Sequence, residues 1–128
     1  LFAVMLGTND LLEMSAPDAR SIAGRMERML AALAPTLAEA GAETLLVAPP
    51  PPARGDWVPE DPRFFAEAER LTRLYRALAE KLGVYFADAG EWGVELMFDG
   101  VHFSPAGHAA FALGMESCLR DIFARRRQ

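Results

Sequence analysis

A chain of 128 residues, 52% hydrophobic and 24% charged, has the size and mix of one globular domain and can bury roughly two thirds of its unfolded surface. Its net charge of −5 argues against nucleic acid, whose phosphates are held by clustered Lys and Arg, and no apolar run approaches the ~20 residues that span a bilayer. Cys118 is the single cysteine, which excludes an intrachain disulfide, and its setting among apolar residues at helical spacing reads as packing.

The chain opens on "LFAVMLGTND", where Phe2 to Leu6 form a continuous apolar run closed by Gly7. That is the pattern of a strand buried on both faces, as parallel strands are. Starting inside such a run, with no polar lead-in, implies that residues upstream of Leu1 belong to the same fold, and it leaves the cellular compartment open. From Asp18 to Ala40 the apolar residues Ile22, Met26, Met29, Leu30, Leu33 and Leu37 fall on one helical face, with Pro35 expected to kink or split the helix and Gly41 to stop it. Thr44 to Ala48 ("TLLVA") is a second strand, ending against four prolines that donate no ladder hydrogen bonds. The irregular stretch "PPPPARGDWVPEDPR" is a loop, stiffened by proline and carrying Trp57.

Asp61 followed by Pro62 is a helix cap with proline in the first position, and the helix runs to Leu82 with Phe65, Leu71, Leu74, Tyr75, Leu78 and Leu82 inward and Gly83 as its end. "VYFAD" is a third strand, followed by a loop from Ala89 to Phe103. Ser104 and Pro105 cap a last helix with Phe111, Met115, Leu119 and Ile122 at helical spacing; the basic run Arg125 to Arg127 suits the negative end of its dipole. Strands alternating with helices indicate an α/β fold, a flavodoxin-like three-layer α/β/α arrangement with a parallel sheet. Three strands make a thin sheet, and the free edge beside Phe2 would present apolar surface. The expectation is therefore that residues 1–128 are the C-terminal portion of one domain with one or two N-terminal strands missing.

In an open parallel sheet, sites form at the carboxyl ends of the strands. That rule selects "GTND", the proline loop and the stretch leading to "DGVHFSPAGH", which hold the unusual polar residues of the chain. Asp99 lies three residues before His102, and a carboxylate bonded to one imidazole nitrogen leaves the other free to take a proton from a nucleophile. A surface Asp beside a locally bonded His fits the same spacing. A third reading joins Asp99, His102 and His108 as metal ligands, but His108 falls within the last helix and no further ligand is evident, so no metal is expected. Asn9 is either a turn residue or a side-chain donor to a developing oxyanion. Asp10 fits a loop-holding role, and Ser104 is better explained as a helix cap than as a nucleophile. Ser15, Ser21 and Ser117 lack a strand-to-helix elbow.

Together, "MLGTND" and, most of a domain later, "DGVHFSPAGH" resemble the SGNH (GDSL-type) hydrolases, with "LLVAPPP" and "FADAG" similar to the arylesterase and acyltransferase branch. The resemblance runs in order along the whole chain. It implies a serine ester hydrolase of the carboxylesterase or arylesterase kind, with acyl transfer as the variant reaction, in which His102 is the general base, Asp99 its orienting acid and Asn9 an oxyanion donor. It also implies a small-molecule ester as substrate, no cofactor, and a homo-oligomer as one arrangement related arylesterases adopt. The family carries its serine in a Gly-Asp-Ser motif and a second oxyanion glycine between that serine and the Asn; this sequence contains neither. The resemblance therefore implies that His102 serves a serine upstream of Leu1 and that the chain alone is inactive. The alternative is a non-catalytic remnant or small-molecule-binding module that kept the cleft. Trp57 and Phe64 are candidates to line an acyl or alcohol pocket, and Trp57 is equally suited to cover a subunit contact.

Overall fold

Parallel strands and helices alternate along residues 1–126, which the computed structural model describes. In chain order these are β1 (Phe2–Val4), α1 (Thr8–Glu13), α2 (Ala19–Glu39), β2 (Thr44–Ala48), α3 (Pro62–Leu82), β3 (Tyr85–Asp88), a 3-10 turn (Ala89–Trp92) and α4 (Pro105–Arg125). The sheet order is β1-β2-β3, both pairs parallel, with Val4 beside Leu46 and Leu46 beside Phe86. This is the α/β arrangement with a parallel sheet that the alternation of patterns predicts.

Alternation along β2 builds the layers. Every residue of β2 is buried. Leu46 and Ala48 join the core formed with Leu11 of α1, Ile22, Met26 and Leu30 of α2, and Phe64, Leu71 and Tyr75 of α3. Leu45 and Val47 face the other way and pack with Ala87, Ala89 and Ile122, flanked by Phe111, Met115 and Leu119 of α4. Fully burying one such Leu or Phe side chain is worth about 1.5–3 kcal/mol. The face with three helices buries more of them, so it anchors the fold, whereas Leu113 and Phe123 of α4 remain exposed.

The helix ends are set by recognisable caps. Asp18 accepts from Arg20 N at 3.1 Å and Asp61 from Arg63 N at 2.9 Å, while Glu67 of α3 accepts from Ala19 N at 2.7 Å and ties the start of α2 to its neighbour. The helix is not split at Pro35: α2 continues to Glu39. Pro35 sits in the exposed last turns, where the missing N–H removes a single ladder bond. On α3 the inward stripe is Phe64, Ala68, Leu71, Tyr75 and Leu78, so Phe64 is fully buried, Phe65 is half-buried and Leu82 is exposed. Phe64 therefore belongs to the core and does not line a pocket.

β1 is shorter than the apolar run suggests, and Ala3 is exposed, so this strand is not covered on both faces. The apolar run bends at Gly7, and residues read from sequence as a turn enter α1. At the far end, Arg126 pairs with Glu43 beside the start of β2; Arg127, read as part of a basic run, lies outside the described residues.

Candidate active site

Because the strands are parallel, the segments after β1, β2 and β3 leave the sheet at one end. Residues 96–103 close a hairpin there. Leu96 bridges Phe103, Met97 N donates to the His102 carbonyl at 2.7 Å, and Gly100 N donates to the Met97 carbonyl at 2.9 Å. Asp99 sits inside this hairpin, 6% exposed. Its Oδ1 accepts from Val101 N at 2.8 Å and His102 N at 2.9 Å, while Oδ2 lies 2.7 Å from Nδ1 of His102. An aspartate three residues before a histidine thus does two things at once: it caps the turn and it holds the ring.

These contacts keep the Asp99 carboxyl below the usual carboxylate range. The His102 backbone N–H is the main cause and the Val101 N–H the second; burial opposes them, and the His102 ring adds to the lowering. The carboxylate is therefore charged across the neutral range. With Nδ1 engaged, Nε2 is the nitrogen left to exchange a proton, on a side chain 59% exposed.

The proline loop is docked on the hairpin through its backbone. Ala53 N donates to the Gly100 carbonyl at 2.9 Å, Asp56 N to the Phe98 carbonyl at 3.2 Å, and Trp57 N to the Asp99 carbonyl at 3.1 Å. Two glycines make this approach possible. A Cβ on Gly55 would lie 2.3 Å from the Asp99 carbonyl carbon, and one on Gly100, whose φ is +80°, would lie 2.3 Å from the Ala53 oxygen. The docked loop brings the Trp57 ring edge-on to His102, with centroids 5.1 Å apart at 83°, while leaving Trp57 62% exposed. Trp57 and His102 thus share one open face. Two wide grooves, of about 870 and 840 Å³, run along α4 and between β3 and α4; His102 lines neither.

Gly100→Ala tests this docking. The added methyl forces the loops apart by more than an ångström, and a displacement of that size in a catalytic geometry costs roughly a hundredfold in rate. Expected in the complete protein is a drop of that order in any turnover that uses His102, with far-ultraviolet dichroism unchanged; native kinetics in Gly100→Ala would show that the docking does not hold His102.

Asn9 stands apart from the pair. It lies exposed in the first turn of α1 at the same end of the sheet and is hydrogen-bonded to neither Asp99 nor His102. Asp10 pairs with Arg25 of α2 at 3.2 Å, tying α1 to its neighbour. Ser104 is buried and its Oγ accepts from Gly107 N at 3.0 Å, so it caps α4. His108 packs edge-on against Phe103, and among the described residues no group of three or more His, Cys, Asp or Glu is placed to hold a metal ion. Sequence reasoning saw Gly100 only as the glycine of the turn between Asp99 and His102 and missed Gly55; a glycine three residues past the run of prolines, facing a glycine-containing turn at the candidate site, was the available signal.

Residues 1–110 match the model of the GDSL-like lipase/acylhydrolase family. Among solved structures, the chain is 36% identical to a protein assigned as an arylesterase from Agrobacterium tumefaciens str. C58, with a TM-score of 0.78 over 94% of this chain and 60% of that one. It is 27% identical to a carbohydrate acetylesterase family member from Sinorhizobium meliloti, with a TM-score of 0.78 over 95% of this chain and 61% of that one. The aryl esterase of M. smegmatis is 28% identical, with a TM-score of 0.73 over 93% and 59%. The chain thus spans about three fifths of the length of each. Among curated proteins none matches it.

Proposed function

Since the chain belongs to the GDSL-like lipase/acylhydrolase family, we propose that it supplies the Asp–His pair and one oxyanion donor of a serine ester hydrolase acting on a small-molecule ester. The observation that carries this reading is the 2.7 Å contact between Asp99 Oδ2 and His102 Nδ1, with Asp99 buried and His102 open to a substrate. In the complete enzyme, a serine preceding Leu1 attacks the ester carbonyl and gives its proton to His102 Nε2. Asp99 stabilises the imidazolium that forms, and His102 returns the proton to the departing alcohol, leaving the acyl group on the serine; His102 then takes a proton from a water that attacks this acyl ester and passes it to the serine oxygen as the acid leaves. Asn9, together with a glycine that also precedes Leu1, holds the tetrahedral oxyanion. Trp57, beside His102 and exposed, forms an apolar wall for the acyl or alcohol group.

A fluorophosphonate probe tests the assignment directly. In the complete enzyme the label is expected on a serine outside these 128 residues, with loss of aryl acetate hydrolysis in step with labelling. The 128-residue chain by itself is expected to stay unlabelled and to hydrolyse an aryl acetate no faster than buffer. Labelling of Ser104 with turnover would place the nucleophile within this chain and overturn the reading.

A further inference from the structure

The one buried tyrosine hydroxyl of α3 is spent on a single backbone group. Tyr75 is 1% exposed, and its Oη donates to the Leu6 carbonyl at 2.9 Å across 69 positions of sequence. Leu6 lies just past β1, where the sheet ladder has ended, and Gly7 then turns the chain at φ 128° into α1. Gly7 has no room to adjust. A Cβ there would meet Tyr75 Oη at 2.8 Å, Leu71 Cδ2 at 3.0 Å and Ile22 Cγ2 at 3.6 Å. The Gly7 carbonyl accepts from Leu11 N at 3.1 Å, so the plane of this peptide sets the direction in which α1 starts, and Asn9 is the second residue of α1.

We infer that Tyr75 is a positioning residue for catalysis: by holding the Leu6 carbonyl it fixes the turn at Gly7 and thereby the place of the Asn9 amide in the oxyanion hole. The inference rests on the reading of Asn9 as an oxyanion donor. An oxyanion donor works only when it waits in place, 2.7–3.1 Å from where charge develops, so a turn locked from the core side serves the reaction as well as the fold. Burial, with the charge of Asp10 adding to it, raises the phenol above its usual range, which keeps the hydroxyl a donor at any working pH.

Tyr75→Phe keeps the ring that fills the core and removes only the hydroxyl. The test is a double-mutant cycle in the complete enzyme, measuring kcat and KM for an aryl acetate in the native protein, Tyr75→Phe, Asn9→Ala and the double variant. Tyr75→Phe is expected to lower kcat about ten- to a hundredfold with KM nearly unchanged. In the Asn9→Ala background the same change is expected to add nothing. Gly7→Ala, which crowds the phenol from the other side, is a second probe and is expected to show the same non-additivity. If Tyr75→Phe keeps native kcat, or multiplies in full on top of Asn9→Ala, the inference is overturned while Asn9 keeps its role. If Asn9→Ala itself leaves kcat intact, the oxyanion reading falls and this inference with it.

Discussion

In the complete enzyme, His102→Ala is expected to lower kcat for an aryl acetate by roughly a millionfold, to the level that binding and oxyanion donors sustain without a general base. The expectation follows from geometry. Nδ1 is committed to Asp99, the side chain is 59% exposed, and among the described residues the other histidine, His108, is packed against Phe103 within α4. No second imidazole stands ready to substitute. Asn9→Ala is expected to be milder, about a hundred- to a thousandfold or roughly 3–4 kcal/mol, because an oxyanion is held by several donors and losing one leaves the others. His108→Ala serves as the internal control and should leave kcat unchanged. Loss of activity in His108→Ala and with a chelator, combined with tolerance of His102→Ala, would replace the serine-hydrolase assignment with a metal-dependent one.

The parts of this chain that sequence reasoning read well are those where one physical signal dominates. β2 is a short apolar run bounded by Gly and Pro, and α3 carries a proline-started cap with apolar residues recurring at three and four positions. Each signal is local, so each element was legible. Neighbouring Phe64 and Phe65 show the limit: both fit a helical period, and which one enters the core depends on how α3 is set against β2. Pro35 shows another, since the cost of a proline depends on where it falls in the helix and on what that turn packs against. Asp99 and His102 were legible as a pair because three positions of separation in a Gly-containing turn are enough to bring a carboxylate to an imidazole. The docking of the proline loop on that turn was not. It runs through backbone N–H and carbonyl groups, which every residue carries, and only the side chains missing at Gly55 and Gly100 mark it. The Tyr75 hydroxyl is hidden for a similar reason, because an apolar stripe counts its ring and ignores its oxygen.

In the complete enzyme, Asp99→Asn is expected to lower kcat about ten-thousandfold with little change in KM, and the structure says why an amide is a poor replacement. Oδ1 of Asp99 accepts from two backbone N–H groups, of Val101 and His102, so an asparagine must place its carbonyl oxygen there to keep them satisfied. Its NH2 group then faces Nδ1 of His102, where Oδ2 now sits at 2.7 Å. A donor facing Nδ1 demands that Nδ1 accept, which moves the ring proton to Nε2, the nitrogen that the proposed mechanism needs free to receive the proton of the serine. The base is present and in the wrong tautomer. Nitrogen NMR of the imidazole is expected to report protonated Nδ1 in the native protein and protonated Nε2 in Asp99→Asn; an unchanged tautomer with native kcat would remove Asp99 from the mechanism. Acid titration separates the two duties of the carboxylate. Its folded pKa lies below the ordinary value of 3.8, so the stability it contributes is present in full above that value and is lost as pH falls through the depressed folded one. The unfolding midpoint of the native protein should therefore drop over that acid window by more than that of Asp99→Asn, which has no proton to take up at this site. Equal acid sensitivity in the two proteins would mean that the turn around His102 is held by something other than this charge.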